Sequence, residues 1–293
     1  MKTLAALLVV TTLSAASFSP AQPPAAAPVR PPIAGIAHVA IQTSDLARAR
    51  TFYGGLLGYT EIPPRRSHTA VFIVNDRQRL IVRDGLPPAR DERFIDLAFE
   101  TDASAMRAFL IASGARPGEP AQDADAGGQR IETTDPDGHP VQFVELDRAR
   151  ATRLATPDAR LSKRILHAGL TVRDSAAADR FYKDTLGFSE TWRGGRPEGV
   201  INWINMRVPD GTDYLEYMLT PAALDRRQLG TAHHIALLVP SIQDALETVR
   251  ARTAADDPNH RAIPQIGRNN RWQLNLFDPD GTRIECMEPW TVR

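Results

Sequence analysis

The chain has 293 residues, 42% hydrophobic and 24% charged, with 35 basic side chains balancing 35 acidic ones. That is a globular composition, long enough for two ordinary domains. The zero net charge gives no reason to expect a nucleic-acid partner, and a single cysteine, Cys286, excludes an intrachain disulfide framework.

At the N-terminus, Lys2 supplies a short positive segment and Leu4 to Phe18 an apolar run too short for a comfortable membrane span. Ser14-Ala15-Ala16 and Ser19-Pro20-Ala21 both offer small residues for cleavage. Residues 1–21 are therefore expected to be a signal peptide, and the Pro- and Ala-rich residues 22–35 an extended tether. The mature protein is expected to be exported, periplasmic or extracellular, with no stable membrane association after cleavage.

From Ile36 the sequence repeats itself. Residues 36–42 alternate as a strand, Asp45 can cap a helix through Phe52 and Tyr53, and Gly58 can end it. His167, Asp174, Phe181, Tyr182 and Gly187 recur 129 residues after His38, Asp45, Phe52, Tyr53 and Gly58. So many matched positions without a gap indicate an internal repeat. Each half also holds a looser second copy. Residues 94–100 form a strand followed by a helix from Ala103 to Ser113; Thr231 to Val239 form a strand followed by a helix from Ser241 to about Arg252. The turn Asp135-Pro136-Asp137-Gly138 returns as Asp278-Pro279-Asp280-Gly281, flanked by alternating apolar residues that signal hairpins. The predicted fold is α+β: tandem domains at 36–146 and 165–289, joined by a linker at 147–164. Each domain is a pair of βαβββ modules whose curved mixed sheets enclose a cleft.

Strand parity then selects the cleft-facing polar residues. Ala168, Leu170 and Val172 form one apolar face, so His167 takes the other. By the same rule Glu216 opposes Leu215 and Tyr217, His234 opposes Ile235 and Leu237, and Glu285 opposes Ile284 and Cys286. His233 shares the face of Ile235 and is expected to turn toward the helix. Two imidazoles and two carboxylates suit one six-coordinate divalent metal with two positions left for water or substrate. Imidazole favours zinc, nickel, iron or cobalt, and the carboxylates also tolerate manganese.

The motifs LHAGLTV, FYKDTLGF, DYLEYML, HHIALLV and DPDGTRIECME resemble those of the vicinal oxygen chelate superfamily, which includes glyoxalase I and extradiol dioxygenases. The resemblance covers residues 36–146 and 165–289. It implies metal ligands at His167, Glu216, His234 and Glu285, similar to the glyoxalase I pattern. There Glu285, and with it Glu216, would be the catalytic proton carriers, acting on a small substrate with vicinal oxygens through a metal-stabilised enediolate. The implied enzyme is an isomerase or lyase. Export argues against glutathione as co-substrate. Several relatives dimerise, so a homodimer is also compatible with the resemblance.

The first half departs from this pattern: it keeps His38 but has Ile81, Asp96 and Gln142 where the second has Glu216, His234 and Glu285. Its metal site is expected to be degenerate. Crosswise pairing of modules would instead join His38, His234 and Glu285 into a two-His-one-carboxylate set suited to Fe(II). A dioxygenase is thus one alternative, although residues 268–275 lack the His and Tyr of the ring-cleaving motif. A non-catalytic binding or resistance protein is another. Parity adds substrate-binding candidates: Trp203, Asn205 and Arg207 on one strand, Tyr214 beside Glu216, and Arg271, Gln273 and Asn275 on another.

Overall fold

The computed structural model describes residues 28–62, 67–123, 127–147, 159–220 and 222–292. The expected signal peptide, the first part of the tether and residues 148–158 of the linker lie outside the described residues.

The first eight strands are β1 (Gly35–Gln42), β2 (Thr60–Ile62), β3 (Thr69–Ile73), β4 (Arg79–Arg83), β5 (Phe94–Glu100), β6 (Ala121–Gln122), β7 (Gly127–Thr134) and β8 (Pro140–Leu146). They form one sheet in the order β2-β3-β4-β1-β5-β8-β7-β6. The next eight are β9 (Ile165–Val172), β10 (Ser189–Gly194), β11 (Trp203–Arg207), β12 (Tyr214–Leu219), β13 (Ile235–Leu238), β14 (Gln265–Ile266), β15 (Arg271–Phe277) and β16 (Arg283–Thr291). They repeat the topology as β10-β11-β12-β9-β13-β16-β15-β14. The modules therefore join edge to edge within each domain, through the antiparallel pairs β1–β5 and β9–β13. The crosswise pairing is not formed, so His38 does not meet His234 and Glu285.

Local chemistry explains where the helices start. Asp45 and Asp174 accept backbone N–H bonds at the starts of α1 (Leu46–Arg50) and α3 (Ser175–Asp179), and each helix continues as a wider π-type turn. Asp102 and Ser241 cap α2 (Ala103–Ala112) and α5 (Ile242–Arg252) in the same way. Gly58 and Gly187, at φ of 73° and 78°, follow the first helix of each repeat. One element departs from expectation. Thr231 and Ala232 belong not to a strand but to the helix α4 (Arg226–Ala232), and β13 begins only at Ile235. The cause is a capping box: Asp225 accepts from the Gln228 N–H while the Gln228 side chain accepts from the Asp225 N–H.

The two domains share one apolar core rather than two. Tyr53, Phe72, Phe99 and Phe143 of the first domain are continuous with Tyr182, Phe188, Leu215 and Tyr217 of the second. Its polar fastenings are exchanged in pairs. Tyr53 donates to Asp278 at 3.0 Å, and Tyr182 donates to Asp135 at 3.0 Å. Asp280 accepts from the Ser44 and Thr43 hydroxyls, and Asp137 from Arg173, at positions the repeat relates. Each Asp-Pro-Asp-Gly turn thus holds a helix of the other domain. The described end of the tether is packed as well: Ile33 is buried and its N–H, like Arg30, donates to Asp210. An aliphatic side chain gains more from that burial than from solvent. No helix among the described residues is long and apolar enough to cross a membrane.

Candidate metal centre

The register of the second sheet gathers the four selected side chains. On β9, His167 lies beside Tyr214 of β12 on one flank and Ala236 of β13 on the other. Glu216 on β12 pairs with Gly169, and Glu285 on β16 pairs with Ala236. The Nε2 atoms of His167 and His234 stand 2.9 Å apart. The Glu285 carboxylate lies 3.2 Å from His234 and 3.8 Å from His167; that of Glu216 lies 3.4 Å and 4.0 Å from them. All four residues are buried, and one donor atom from each lies within 4.8 Å of the others. Donors about 2.1 Å from a common ion stand about 3 Å apart at right angles and about 4.2 Å when opposed. The five imidazole–imidazole and imidazole–carboxylate separations above, 2.9 to 4.0 Å, lie close to that range.

The protonation chemistry also fits a cation. The His234 Nδ1–H donates to the Ala232 carbonyl at 3.0 Å, which leaves Nε2 able to ligate a metal. Burial lowers the His167 pKa to about 4, despite Glu216 and Glu285, so its imidazole is neutral. Burial and Arg283 would lower that of His234, but hydrogen bonds to Glu216 and Glu285 outweigh them and raise it. Burial would raise the Glu285 pKa; Arg283, 3.7 Å away, and His234 instead hold it well below the usual carboxylate range. Two facing imidazole nitrogens between two carboxylates require a positive charge among them, and a divalent ion supplies it without a proton. Zinc, nickel, iron, cobalt and manganese all accept this donor set.

The strand β9 approaches His234 closely. A Cβ at Gly169 would overlap the His234 imidazole and come within 2.6 Å of the Ala232 carbonyl. Gly169→Ala is therefore expected to displace His234 and weaken metal affinity by about 10- to 100-fold. Metal titration of the folded variant, checked by circular dichroism, measures this; unchanged affinity would show that the ring does not need the space.

A cleft of about 240 Å³ opens above Glu216 and Glu285. Of the substrate-binding candidates, Trp203 and Gln273 line it. Asn205 and Asn275 instead lie directly across the strands from Glu216 and Glu285, each with a buried amide oxygen lacking a partner. Tyr214 is buried and stacks on His167 at 4.5 Å between ring centroids. Arg207 is exposed and Arg271 half-buried, and neither lines the cleft. Sequence reasoning missed Trp192, Arg196, Arg268 and Arg283, which do. Arg283 was within its reach, since it shares the parity of Glu285. The others stand on β10 and the loops, where alternation of core strands gives no guide.

In the first domain, the register places Ile81 opposite Ala40 and Gln142 opposite Ala98, matching Glu216 and Glu285 in the repeat. There His38 and Asp96 close on each other at 2.9 Å, with Arg83 at 3.4 Å from Asp96, and Gln142 donates to Glu132. Among the described residues, the second-domain cluster is the group found that can hold a metal. Burial would lower the His38 pKa from its ordinary 6.5, but the bond and charge of Asp96 outweigh it and raise it. For Asp96 burial would raise the value, and His38 lowers it instead. The pair's contribution is therefore full below the unfolded His value, fades as pH rises through the raised His38 value, and is also lost at acid pH through the lowered Asp96 value. Asp96→Asn is expected to cost about 2 kcal/mol in urea unfolding below the raised His38 value and less once pH has risen through it. An equal penalty on both sides would contradict this charge state.

Comparison with known proteins now decides the family. A model of the Glyoxalase/Bleomycin resistance protein/Dioxygenase superfamily matches residues 164–286, and one of a glyoxalase-like domain matches residues 38–144. The chain belongs to the vicinal oxygen chelate superfamily. A relative in Bacillus subtilis (strain 168), the uncharacterized protein YwbC, is 33% identical over 128 residues, which are 99% of its length and 44% of this chain. Solved structures of homoprotocatechuate 2,3-dioxygenase share the fold. A variant from Brevibacterium fuscum matches with a TM-score of 0.65 and 21% identity over 90% of this chain and 74% of that one. The enzyme from Arthrobacter globiformis matches with 0.65 and 21% over 88% and 80%. This vicinal oxygen chelate chain is thus a tandem two-domain member of the superfamily, and the buried four-residue cluster of its second domain is where a metal can be held.

Proposed function

We propose that the second domain is a divalent-metal enzyme of glyoxalase type that moves a proton next to a carbonyl, with an isomerisation or lyase outcome. The observation that carries this reading is the four-donor set with two carboxylates. A bound divalent ion would neutralise charge developing on two vicinal substrate oxygens. The chain itself supplies the rest. Glu216 and Glu285 both border the cleft and are the groups placed to accept and return the proton. His167 and His234 hold the ion's position and remain neutral when coordinated. Tyr214, stacked on His167, covers one face of that imidazole.

The lining suggests the substrate class. Among the described residues that line the cleft, Glu216 and Glu285 are the acids, while Arg196, Arg268 and Arg283 line it together with Trp192 and Trp203. A small anion with a flat apolar part suits these groups. The volume of about 240 Å³ favours a compact molecule over a large conjugate. From the N-terminal signal pattern we place the reaction outside the cytoplasm.

A second reading, an Fe(II) dioxygenase, draws on the two-domain likeness to homoprotocatechuate 2,3-dioxygenase. The fourth protein donor weighs against it, because the facial triad of such oxygenases leaves that position open. The two are separated by incubating metal-loaded protein with small 2-oxo and 2-hydroxy carboxylates, and with catechols, in D₂O. Exchange of the proton next to the carbonyl without oxygen uptake supports the first. Oxygen uptake with iron alone would replace it by the second.

A further inference from the structure

No comparable cluster is found among the described residues of the first domain, yet that domain reaches the segments that carry His167 and His234. A chain of buried or half-buried side chains crosses the domain boundary. Glu92 accepts from His233 Nδ1 at 2.8 Å, and His233 Nε2 meets the Thr171 hydroxyl at 2.9 Å. The same hydroxyl meets His139 Nε2 at 3.1 Å, and His139 Nδ1 donates to Asp135 at 2.9 Å. The two imidazoles pack edge-on at 5.1 Å between centroids, and Phe94 lies 5.2 Å from His233. Glu92, Phe94, His139, Thr171 and His233 border a cavity of about 460 Å³ between the domains, separate from the metal cleft.

We infer that this relay holds the two histidine ligands in register, so that Glu92, Asp135, His139, Thr171 and His233 are positioning residues for the metal centre. The inference rests on the reading of the second domain as a metal site. Its physical ground is the weakness of the local ladder. The strand β13 has only four residues, and its pairing with β9 shifts register between Ala236 and Leu237. His234 lies outside that strand, in the segment leaving α4, and a single β9 bond, from the Gly169 N–H to its carbonyl at 2.9 Å, holds its backbone. Thr171 stands on β9 four residues beyond His167, and His233 directly precedes His234. Joining Thr171 to His233 therefore ties the two ligand-bearing segments together. Glu92 and the Asp135–His139 pair anchor that tie to the first domain, and none of the three lines the metal cleft. Ligand orientation through such outer contacts is worth about 10- to 100-fold in metal affinity.

The test titrates the metal-free full-length protein with cobalt(II), read by visible absorption, in four forms: unsubstituted, Thr171→Val, Thr171→Ser and Glu92→Ala. Thr171→Val nearly conserves volume, and Thr171→Ser keeps the hydroxyl. The expected result is a cobalt affinity about 10- to 100-fold weaker in Thr171→Val and Glu92→Ala, with an altered absorption envelope, and near-full recovery in Thr171→Ser. Circular dichroism checks that each form is folded at the titration temperature. Unchanged cobalt affinity and spectrum in both Thr171→Val and Glu92→Ala would overturn the positioning role alone. Absence of cobalt binding by the unsubstituted protein would overturn the metal reading and this inference with it.

Discussion

Replacing Glu285 with glutamine is expected to slow proton exchange next to the substrate carbonyl by about 10²- to 10⁴-fold. The amide nearly matches the carboxylate in shape, so packing at this buried position is conserved. What is lost is a charge and a proton acceptor. Glu285 is the carboxylate nearer to both imidazoles, and Arg283 and His234 hold it ionised. The variant is also expected to bind metal more weakly, so exchange is measured at saturating metal and compared with Glu216→Gln under the same conditions. Gln142→Ala, at the corresponding position of the first domain, is the control and is expected to leave exchange per folded molecule unchanged. Equal rates in Glu285→Gln and the unsubstituted protein would remove Glu285 from the proposed chemistry.

The second large effect concerns the shared core. Tyr182→Ala is expected to destabilise the protein by about 3–5 kcal/mol. Tyr182 is 1% exposed and packs against Phe181, Phe188 and Tyr217. Its hydroxyl also donates to Asp135 of the other domain. Tyr182→Phe keeps the ring and removes one of the donors to Asp135, so it is expected to cost only about 1–2 kcal/mol. Urea denaturation measures both. Because the core is continuous across the domains, a single cooperative transition is expected in each variant. If Tyr182→Ala cost no more than Tyr182→Phe, the packing of the ring would not contribute to the core.

The four clustered side chains were legible because they lie on or beside strands of a repeated module. Period-two alternation assigns each a face, and the repeat fixes which strands are equivalent. The replacements Ile81, Asp96 and Gln142 in the first half were read from the same comparison. His233 was misplaced because parity was extended past the end of its strand. The residue belongs to the C-terminal cap of α4, and its ring turns to Glu92 and Thr171 rather than toward a helix. The Asp225–Gln228 capping box was the local signal that could have corrected this. Gly169 carried no local signal, since its need for a missing side chain comes from an imidazole 65 positions away in the chain. The Arg and Trp lining of the cleft, and the relay through Glu92 and His139, arise from loops and from the domain boundary. Hydrophobic periodicity does not encode contacts of that kind.

His167, Glu216, His234 and Glu285 are proposed to hold one metal ion, and this is what the second domain's chemistry depends on. It is tested most directly by metal analysis of the native full-length protein beside the His167→Ala and Glu285→Ala variants. A stoichiometric divalent ion is expected in the native protein and is expected to be lost from both variants. Full metal occupancy in both would contradict it.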